Sequence, residues 1–413
     1  MALFRGPASS RKPAAQPAAA EAPSRPPGSA DPSSAPAAPS LKGLLGWLAR
    51  RFEAGQPVVG IDLGATSVKA ARVESFSDGV RLTGIAVEEL PLEVTEGPAW
   101  EQAVQEALQR LRRRRFLNGR IVLGFYHIDS FIEPLRMPAM PAAELAQAVV
   151  WEAKERLALD PERSVIRFVV NGQLSGNGQS QQEVLIVAAP KSALLARWKL
   201  LSDQGLKVAA MEPVPLASFY SMERLNPWKP AEVVGLLEVG MRMSHLSFIR
   251  DHAVRFSRSF PVAGDSFTRC IADYCQIDYQ PGEQMKRQYG ISRMALEEDR
   301  QELGHSKEDR VRVSHALGLH LEKLVAEIEQ SYRYFAFELG GSESPRMDRL
   351  LLTGGGSLLR NLGEFLSDRL SVPVGIPDPL EGFEVDPSIR NSLKAGWIQR
   401  LAVPIGLALR PME

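Results

Sequence analysis

The chain has 413 residues, a length typical of two to four compact units rather than one simple domain. Its 49 Lys and Arg residues balance 49 Asp and Glu residues, which excludes a bulk field favouring nucleic acid or an acidic membrane surface. A content of 44% hydrophobic and 24% charged residues excludes a chain that is disordered throughout.

Residues 1–40 form a low-complexity tail with 12 Ala, 9 Pro and 7 Ser. Such a composition buries too little apolar surface to offset the entropy of ordering, so we expect a disordered tail or tether. Residues 41–56 then predict a short amphipathic helix, Leu41 to Phe52, and a linker. Two interpretations stay open for this helix: an interfacial membrane anchor, or a capping helix on the next domain, which we favour because the helix has only three turns.

Three strand-like segments follow, VVGIDLG, VKAARVES and VRLTGIAVEEL, and they predict a β-meander within residues 57–120. Alternating strand and helix patterns over 121–210 predict an inserted α+β subdomain. Residues 211–413 are expected to form the second lobe and the return to the first, including the glycine motif described below. They contain VVGLLEVG, MSHLSFIR and HAVRFSRSFPV, so the first meander is expected to recur. A later apolar stripe from Leu317 to Leu339 predicts a long core-facing helix that ends at Gly340 and Gly341.

The first strand and turn, from Val58 to Lys69, are the most informative stretch. An apolar strand delivers Asp62 to a turn rich in glycine and hydroxyl residues, and successive backbone N–H groups of such a turn can face a phosphate. Asp62 is then placed to hold Mg²⁺ through water. The candidate binding residues of this hairpin are Gly60, Asp62, Gly64, Thr66, Ser67 and Lys69. Taken alone, the pattern also fits an ordinary hairpin turn.

Two later motifs repeat this logic. Glu238 and Gly240 end the first strand of the second meander, so two hairpins are expected to clamp one phosphate chain, with Glu238 as the second metal candidate. Farther on, an apolar strand runs into Gly354, Gly355 and Gly356, whose bare backbone would admit a flat base. A tight strand-to-helix turn is the alternative explanation for the three glycines.

The order and spacing of these motifs resemble the actin-like ATPase superfamily, and within it the PilM family of type IV pilus assembly proteins. The likeness lies in GIDLGATSVKA, LLEVGMRMSHLSFI and LLLTGGGSLLRNLGEFLSDRL, and in PLRMPAMPAAELAQAVVWEAKERL and PIGLALR. It implies an α/β fold of two actin-like lobes around a nucleotide cleft, with 121–210 as an extra subdomain. It also implies that Glu283 and Lys286 contact the ribose of ATP, although by themselves they would be an ordinary helical salt bridge.

The resemblance further implies a cytoplasmic scaffold that binds ATP with Mg²⁺ and the cytoplasmic tail of a PilN-type inner-membrane protein. Pilus motor or platform proteins and self-association are further expected contacts, and membrane contact would be mainly indirect. One departure concerns Glu238, because the family normally has Asp there. The extra methylene is expected to displace a metal-bound water, so we predict nucleotide binding with weak or absent hydrolysis.

Two alternatives remain at this point. An FtsA-like cell-division ATPase predicts a C-terminal amphipathic anchor, whereas this chain ends in PIGLALRPME. A sugar or acetate kinase needs a catalytic base, yet the six histidines, His245 among them, stand in no such motif and are interpreted as packing or surface residues. Two cysteines without zinc spacing, and the lack of an apolar run near 20 residues, favour a cytoplasmic protein that does not cross a membrane.

Overall fold

The structure is a computed structural model that describes residues 56–77, 79–93, 95–176, 179–225, 228–229, 231–292, 305–339 and 346–410. The predicted tail 1–40, the predicted helix Leu41 to Phe52 and the predicted stop at Gly340 and Gly341 lie outside these ranges.

The described chain alternates strands and helices throughout. The strands are β1 (Val58–Leu63), β2 (Ser67–Phe76), β3 (Gly79–Glu89), β4 (Arg120–Phe125), β5 (Phe131–Pro138), β6 (Ser164–Gly176), β7 (Gln179–Pro190), β8 (Val208–Pro213), β9 (Val234–Val239), β10 (Ser244–Arg250), β11 (Ala253–Phe260), β12 (Arg349–Thr353) and β13 (Val374–Gly375). The helices are α1 (Gly97–Arg113), α2 (Ala142–Leu157), α3 (Lys191–Ser202), α4 (Val214–Leu225), α5 (Gly264–Cys275), α6 (Tyr279–Tyr289), α7 (His305–Leu339), α8 (Leu362–Leu370), α9 (Pro387–Ser392) and α10 (Ala402–Leu409). The long helix predicted around Leu317 is α7.

Two five-stranded sheets share one topology. The first has the order β3-β2-β1-β4-β8 and the second has the order β11-β10-β9-β12-β13. In each, an antiparallel meander supplies three strands and two strands parallel to the first strand of the meander complete the sheet. The predicted recurrence of the meander is confirmed, and each sheet is the centre of one lobe.

A separate three-stranded antiparallel sheet, β5-β7-β6, stands between the two halves of the first lobe in the sequence. Helix α2 packs on it through Leu145, Val149 and Ala153. The structure places β4 and β8 in the first lobe, although both overlap the predicted insert of 121–210. The insert sheet therefore spans residues 131–190. The predicted insert was wider because a buried apolar strand such as β4 carries no local signal that says which sheet it joins.

The C-terminal segment returns to the first lobe. Every residue of α10 is buried, and this helix packs on α4 and on β1. A side chain at Gly60 would place its Cβ 2.1 Å from the carbonyl oxygen of Pro404 in α10. Gly60 was a candidate nucleotide contact, but in the structure it lies within β1 and gives room for the backbone of α10.

Candidate functional site

The turn between β1 and β2 forms the first wall of the candidate site. The Gly64 amide donates to the Ser67 carbonyl at 3.0 Å, which closes the turn, and the indole of Trp100 donates to the Gly64 carbonyl at 3.3 Å. Asp62 and Lys69 lie opposite each other in the ladder and form an ion pair of 2.5 Å between Oδ2 and Nζ. The acid that was predicted to face Mg²⁺ is thus already neutralised by a lysine of the same hairpin.

The remaining candidates of this hairpin support its shape. The Thr66 carbonyl accepts from the Leu90 amide at 2.9 Å, and this contact ties the turn to the end of β3. Ser67 is buried at the start of β2. Both residues therefore fix the turn, while Gly64 leaves room beside it: a Cβ there would lie 3.2 Å from Nζ of Lys69.

The turn between β9 and β10 repeats this geometry in the second lobe. The Gly240 amide donates to the Met243 carbonyl at 3.0 Å, as Gly64 does to Ser67. Glu238 takes the place of Asp62, and His245 lies opposite it where the first lobe has Lys69. The Glu238 Oε2 atom is 3.9 Å from Nε2 of His245, beyond hydrogen-bond distance.

The charge of Glu238 has no close counterpart. Its Oε2 atom is buried without a hydrogen-bond partner among the described residues, as is Oγ1 of Thr353, its neighbour in the register of β9 and β12. Burial, together with the nearby charge of Asp62 and against the opposing charge of Lys69, raises the pKa of Glu238 to about 7. Burial also lowers the pKa of His245 to about 4, so the imidazole stays neutral and does not balance the carboxylate.

The charges of Asp62 and Lys69 act on Glu238, so the two hairpins lie within electrostatic range of each other. A second contact between the lobes is an ion pair between Arg242 of the second turn and Glu96, which precedes α1. This bridge was not predicted, since nothing in the sequence relates the two segments. His245 was interpreted as a packing or surface residue, and the structure buries it against Tyr126; its position opposite Glu238 was not predicted. Glu238 and His245 stand the same number of residues before and after the turn that Gly240 and Met243 close. This symmetric spacing is the sequence signal that would have indicated the pair.

The three glycines after β12 form a tight turn against β9. Gly354 has φ +81°, and a Cβ there would lie 2.5 Å from the Val239 carbonyl oxygen. A Cβ at Gly356 would lie 2.2 Å from Cγ1 of Val239, whereas one at Gly355 would meet the Arg400 side chain at 3.4 Å. Packing therefore requires Gly354 and Gly356, and the Gly355 backbone lies beside Arg400.

Glu283 and Lys286 form a buried network between α5 and α6. Lys286 Nζ lies 2.6 Å from Glu283 Oε2 and donates to the Gly264 carbonyl at 2.9 Å. Thr268 Oγ1 donates to Glu283 at 2.5 Å. Burial raises the pKa of Glu283, but the charge and hydrogen bond of Lys286, with the hydrogen bonds of Thr268 and Arg287, outweigh burial and hold this pKa below its ordinary value. The pair stabilises the two helices, and the predicted ribose contact stays a prediction.

Arg400 joins this network to the glycine turn. Arg400 lies beside Gly355. Burial lowers the pKa of Arg400, the charge of Arg287 lowers it as well, and the charge of Glu283 opposes this decrease. Its Nε is buried without a hydrogen-bond partner among the described residues. Arg400 was not predicted, because this residue lies about 45 positions after the glycines and belongs to no motif.

A second concave region lies beside the insert sheet. It is a cavity of about 230 Å³ between the end of β4, the insert strands, β8 and β11. Phe125, Phe131, Ile132, Val165 and Ala189 give it an apolar lining, with Tyr126, Arg167 and Ser259 among its polar groups. At the rim, the Ile128 side chain is 67% exposed. The cavity is suited to a few apolar side chains flanked by hydrogen-bonding groups.

Comparison with known proteins decides the family. The family model described as type IV pilus assembly protein PilM matches residues 60–412. This chain belongs to the PilM family. A PilM–PilN type IV pilus biogenesis complex contains a similar chain, 28% identical, with 88% of this chain and 99% of that chain covered and a TM-score of 0.68. A diol dehydratase-reactivating factor in its nucleotide-free form has a similar fold, with 11% identity, 86% and 99% coverage and a TM-score of 0.50.

Membership of the PilM family agrees with the two-lobed α/β architecture, and the predicted actin-like fold with an inserted subdomain is confirmed. Among the helices that the structure describes, none has the length and apolar content needed to cross a bilayer.

Proposed function

We propose that this PilM-family protein is an ATP-binding cytoplasmic scaffold for type IV pilus assembly. It binds the cytoplasmic tail of a PilN-type inner-membrane protein and is held at the membrane through that partner. The observation that carries the nucleotide part is the pair of matching hairpins whose acids, Asp62 and Glu238, face each other across the lobes. Support for the partner comes from the similar chain in a PilM–PilN complex. Motor or platform proteins and further copies of the chain are additional expected contacts.

The donor set in the cleft fits a triphosphate with Mg²⁺. Lys69 is a cation that a phosphate group would attract away from Asp62. The orphaned oxygen of Glu238 suits a water molecule of a hydrated cation. Asp62 and Glu238 would hold Mg²⁺ through water, and the bound ion would neutralise phosphate charge. The Gly355 backbone beside Arg400 is the candidate base-binding edge.

Hydrolysis is expected to be weak or absent. In-line attack requires a water molecule held at one position, and Glu238 is one methylene longer than the aspartate that the family usually carries there. Its carboxylate also has no hydrogen-bond partner among the described residues to fix its orientation. Steady ATP turnover by the purified protein tests this directly. A turnover rate typical of vigorous actin-like ATPases, abolished in Glu238→Gln, would contradict it.

The cavity beside the insert sheet is the proposed site of the partner tail. It combines an apolar lining with flanking polar groups, and the exposed Ile128 at its rim offers further apolar contact. A short extended segment gains most by burying one or two apolar side chains while its backbone finds polar partners. This cavity offers both kinds of contact.

A variant that fills the cavity tests the assignment. Ala189 lines it and is 8% exposed, so Ala189→Trp should weaken binding of the PilN-type tail peptide at least about tenfold, the loss of a single well-buried apolar anchor. Val169 is 51% exposed on the same sheet and is not among the lining residues, so Val169→Trp is the matched control, expected to bind within about twofold of the wild type. Fluorescence anisotropy with a labelled peptide measures both. Equal affinity of Ala189→Trp and the wild type would place the tail elsewhere.

A further inference from the structure

Three polar side chains form a row across the second sheet. Glu238 in β9 pairs in register with His245 in β10, which pairs with Ser259 in β11. His245 Nδ1 and Ser259 Oγ are hydrogen-bonded at 2.6 Å, and His245 Nε2 is 3.9 Å from the Glu238 carboxylate. We call these three residues the His245 row. Side chains of directly opposite residues on one face of adjacent strands lie within contact range, so a displacement of one side chain changes its contact with the next.

The two ends of the row reach the two concave regions. Glu238 faces Asp62 and Lys69 in the cleft, whereas Ser259 lines the cavity beside the insert sheet. Tyr126 of the first lobe also lines that cavity, and its ring meets His245 edge-on with 4.6 Å between ring centroids. His245 therefore has contacts on three sides: the carboxylate of Glu238 at 3.9 Å, the Ser259 hydroxyl to which it is hydrogen-bonded, and the ring of Tyr126.

The first lobe lacks this continuity. There Asp62 is neutralised by Lys69, and the next strand presents Val87 opposite Lys69. The polar row thus stops after two residues in the first lobe and extends to the cavity in the second. A lysine at position 245 would balance Glu238 directly, as Lys69 balances Asp62. His245 instead leaves Oε2 of Glu238 without a hydrogen bond and forms its own hydrogen bond towards the cavity.

We infer that His245 is a positioning residue that couples the cleft to the cavity. This inference rests on the proposed function, which supplies a nucleotide in the cleft and a tail peptide in the cavity. A ligand that draws Glu238 towards the cleft alters one of the three contacts that fix His245, and a peptide that touches Ser259 or Tyr126 alters the others. Because coupling between two sites is reciprocal, nucleotide should change the peptide affinity by the same factor as peptide changes the nucleotide affinity.

The experiment measures this coupling factor in the full chain. The dissociation constant of mant-ATP with Mg²⁺ is determined with and without saturating PilN-type tail peptide. For the wild type we expect a ratio of about fivefold or more, the lower end of typical coupling energies. His245→Phe keeps a ring against Tyr126 but removes the hydrogen bond, and Ser259→Ala removes the bond from the other side. Both should bring the ratio below about twofold.

The control variant is Ser247→Ala. Ser247 donates to Ser257 at 3.0 Å in the same strand pair, two residues farther along β10 from the turn, and it is also buried. Its ratio should equal that of the wild type. Circular dichroism and the mant-ATP affinity without peptide report whether each variant is folded.

The outcomes separate the two proposals. If the wild type binds mant-ATP and peptide but shows a ratio near one, or if folded His245→Phe and Ser259→Ala keep the wild-type ratio, the coupling role of His245 is refuted while the proposed function stands. If the wild type binds neither ligand, the proposed function fails and the coupling role falls with it.

Discussion

Replacement of Glu238 by glutamine should stabilise the protein while it weakens binding of Mg²⁺–nucleotide. In the folded protein, burial and Asp62 raise the pKa of Glu238 from its ordinary 4.5 to about 7. A difference of this size corresponds to about 3 kcal/mol once the pH is well above 7. The glutamine amide must also be buried, so we expect about half of this, a gain of about 1–2 kcal/mol in the free energy of unfolding.

The pH dependence gives the prediction its sign. Below pH 4.5 the carboxyl group is protonated in both the folded and the unfolded chain, so Glu238→Gln should unfold at the wild-type temperature. As the pH rises from 4.5 through 7, this carboxyl group ionises in the unfolded chain before it ionises in the folded chain. The wild type therefore loses stability that the variant retains. At pH 8 the variant should melt about 2–6 °C higher.

Differential scanning fluorimetry from pH 4.5 to 8.5 measures this difference, with Glu329→Gln on the exposed face of α7 as the control for a change of net charge. A melting temperature of Glu238→Gln that is equal to or below that of the wild type at pH 8 would refute the account of Glu238 as an unpaired buried acid. A gain that does not shrink towards pH 4.5 would refute the assigned cause.

Three further predictions test the packing and the charges around the cleft. Gly354→Ala should lower the urea midpoint by the equivalent of about 3 kcal/mol or prevent folding, because its Cβ would lie 2.5 Å from a carbonyl oxygen; a wild-type midpoint would contradict the strained turn. Lys286→Met should lower the free energy of unfolding by about 3 kcal/mol in urea titrations, since it leaves Glu283 buried with a lost partner, whereas Glu283→Gln combined with Lys286→Met should recover most of that loss. Burial raises the pKa of Glu223 to about 7, so stability is lost as the pH rises towards and through 7; Glu223→Gln should therefore raise the melting temperature at pH 8 and leave it unchanged near pH 4.5, and equal effects at both pH values would show that burial of the charge is not the cause.

Local patterns predicted the elements that local chemistry determines. The alternating strand and helix patterns predicted over 121–210 include α2, whose sequence AAELAQAVVWEAKERL has apolar positions at helical spacing and is preceded by Pro141. The two hairpins were likewise predicted from turn residues that follow apolar strands, and the glycine turn is the structure that the alternative explanation of the three glycines described. Each of these signals lies within a window of about 15 residues, where the periodicity of side chains is sufficient.

Features that depend on distant segments were not predictable in the same way. Gly60 was interpreted as a ligand contact, but its role is to leave room for the backbone of α10, a helix almost 350 positions later in the sequence. The assignment of β4 to the first lobe depends on its pairing with β1. The position of His245 in the cleft required the register of β9 and β10, which a strand pattern does not fix by itself.

Calorimetric titration of ATP with Mg²⁺ into the full chain tests the central claim most directly, with Lys69→Met as the matched variant. Lys69 pairs with Asp62 at 2.5 Å and is the cation assigned to phosphate. We predict saturable one-to-one binding with a dissociation constant below about 1 mM, weakened about tenfold or more in the variant, the usual consequence of losing one charge-assisted contact. No saturable heat for the folded wild type, or equal affinity in the variant, would contradict the assignment of the cleft as a nucleotide site.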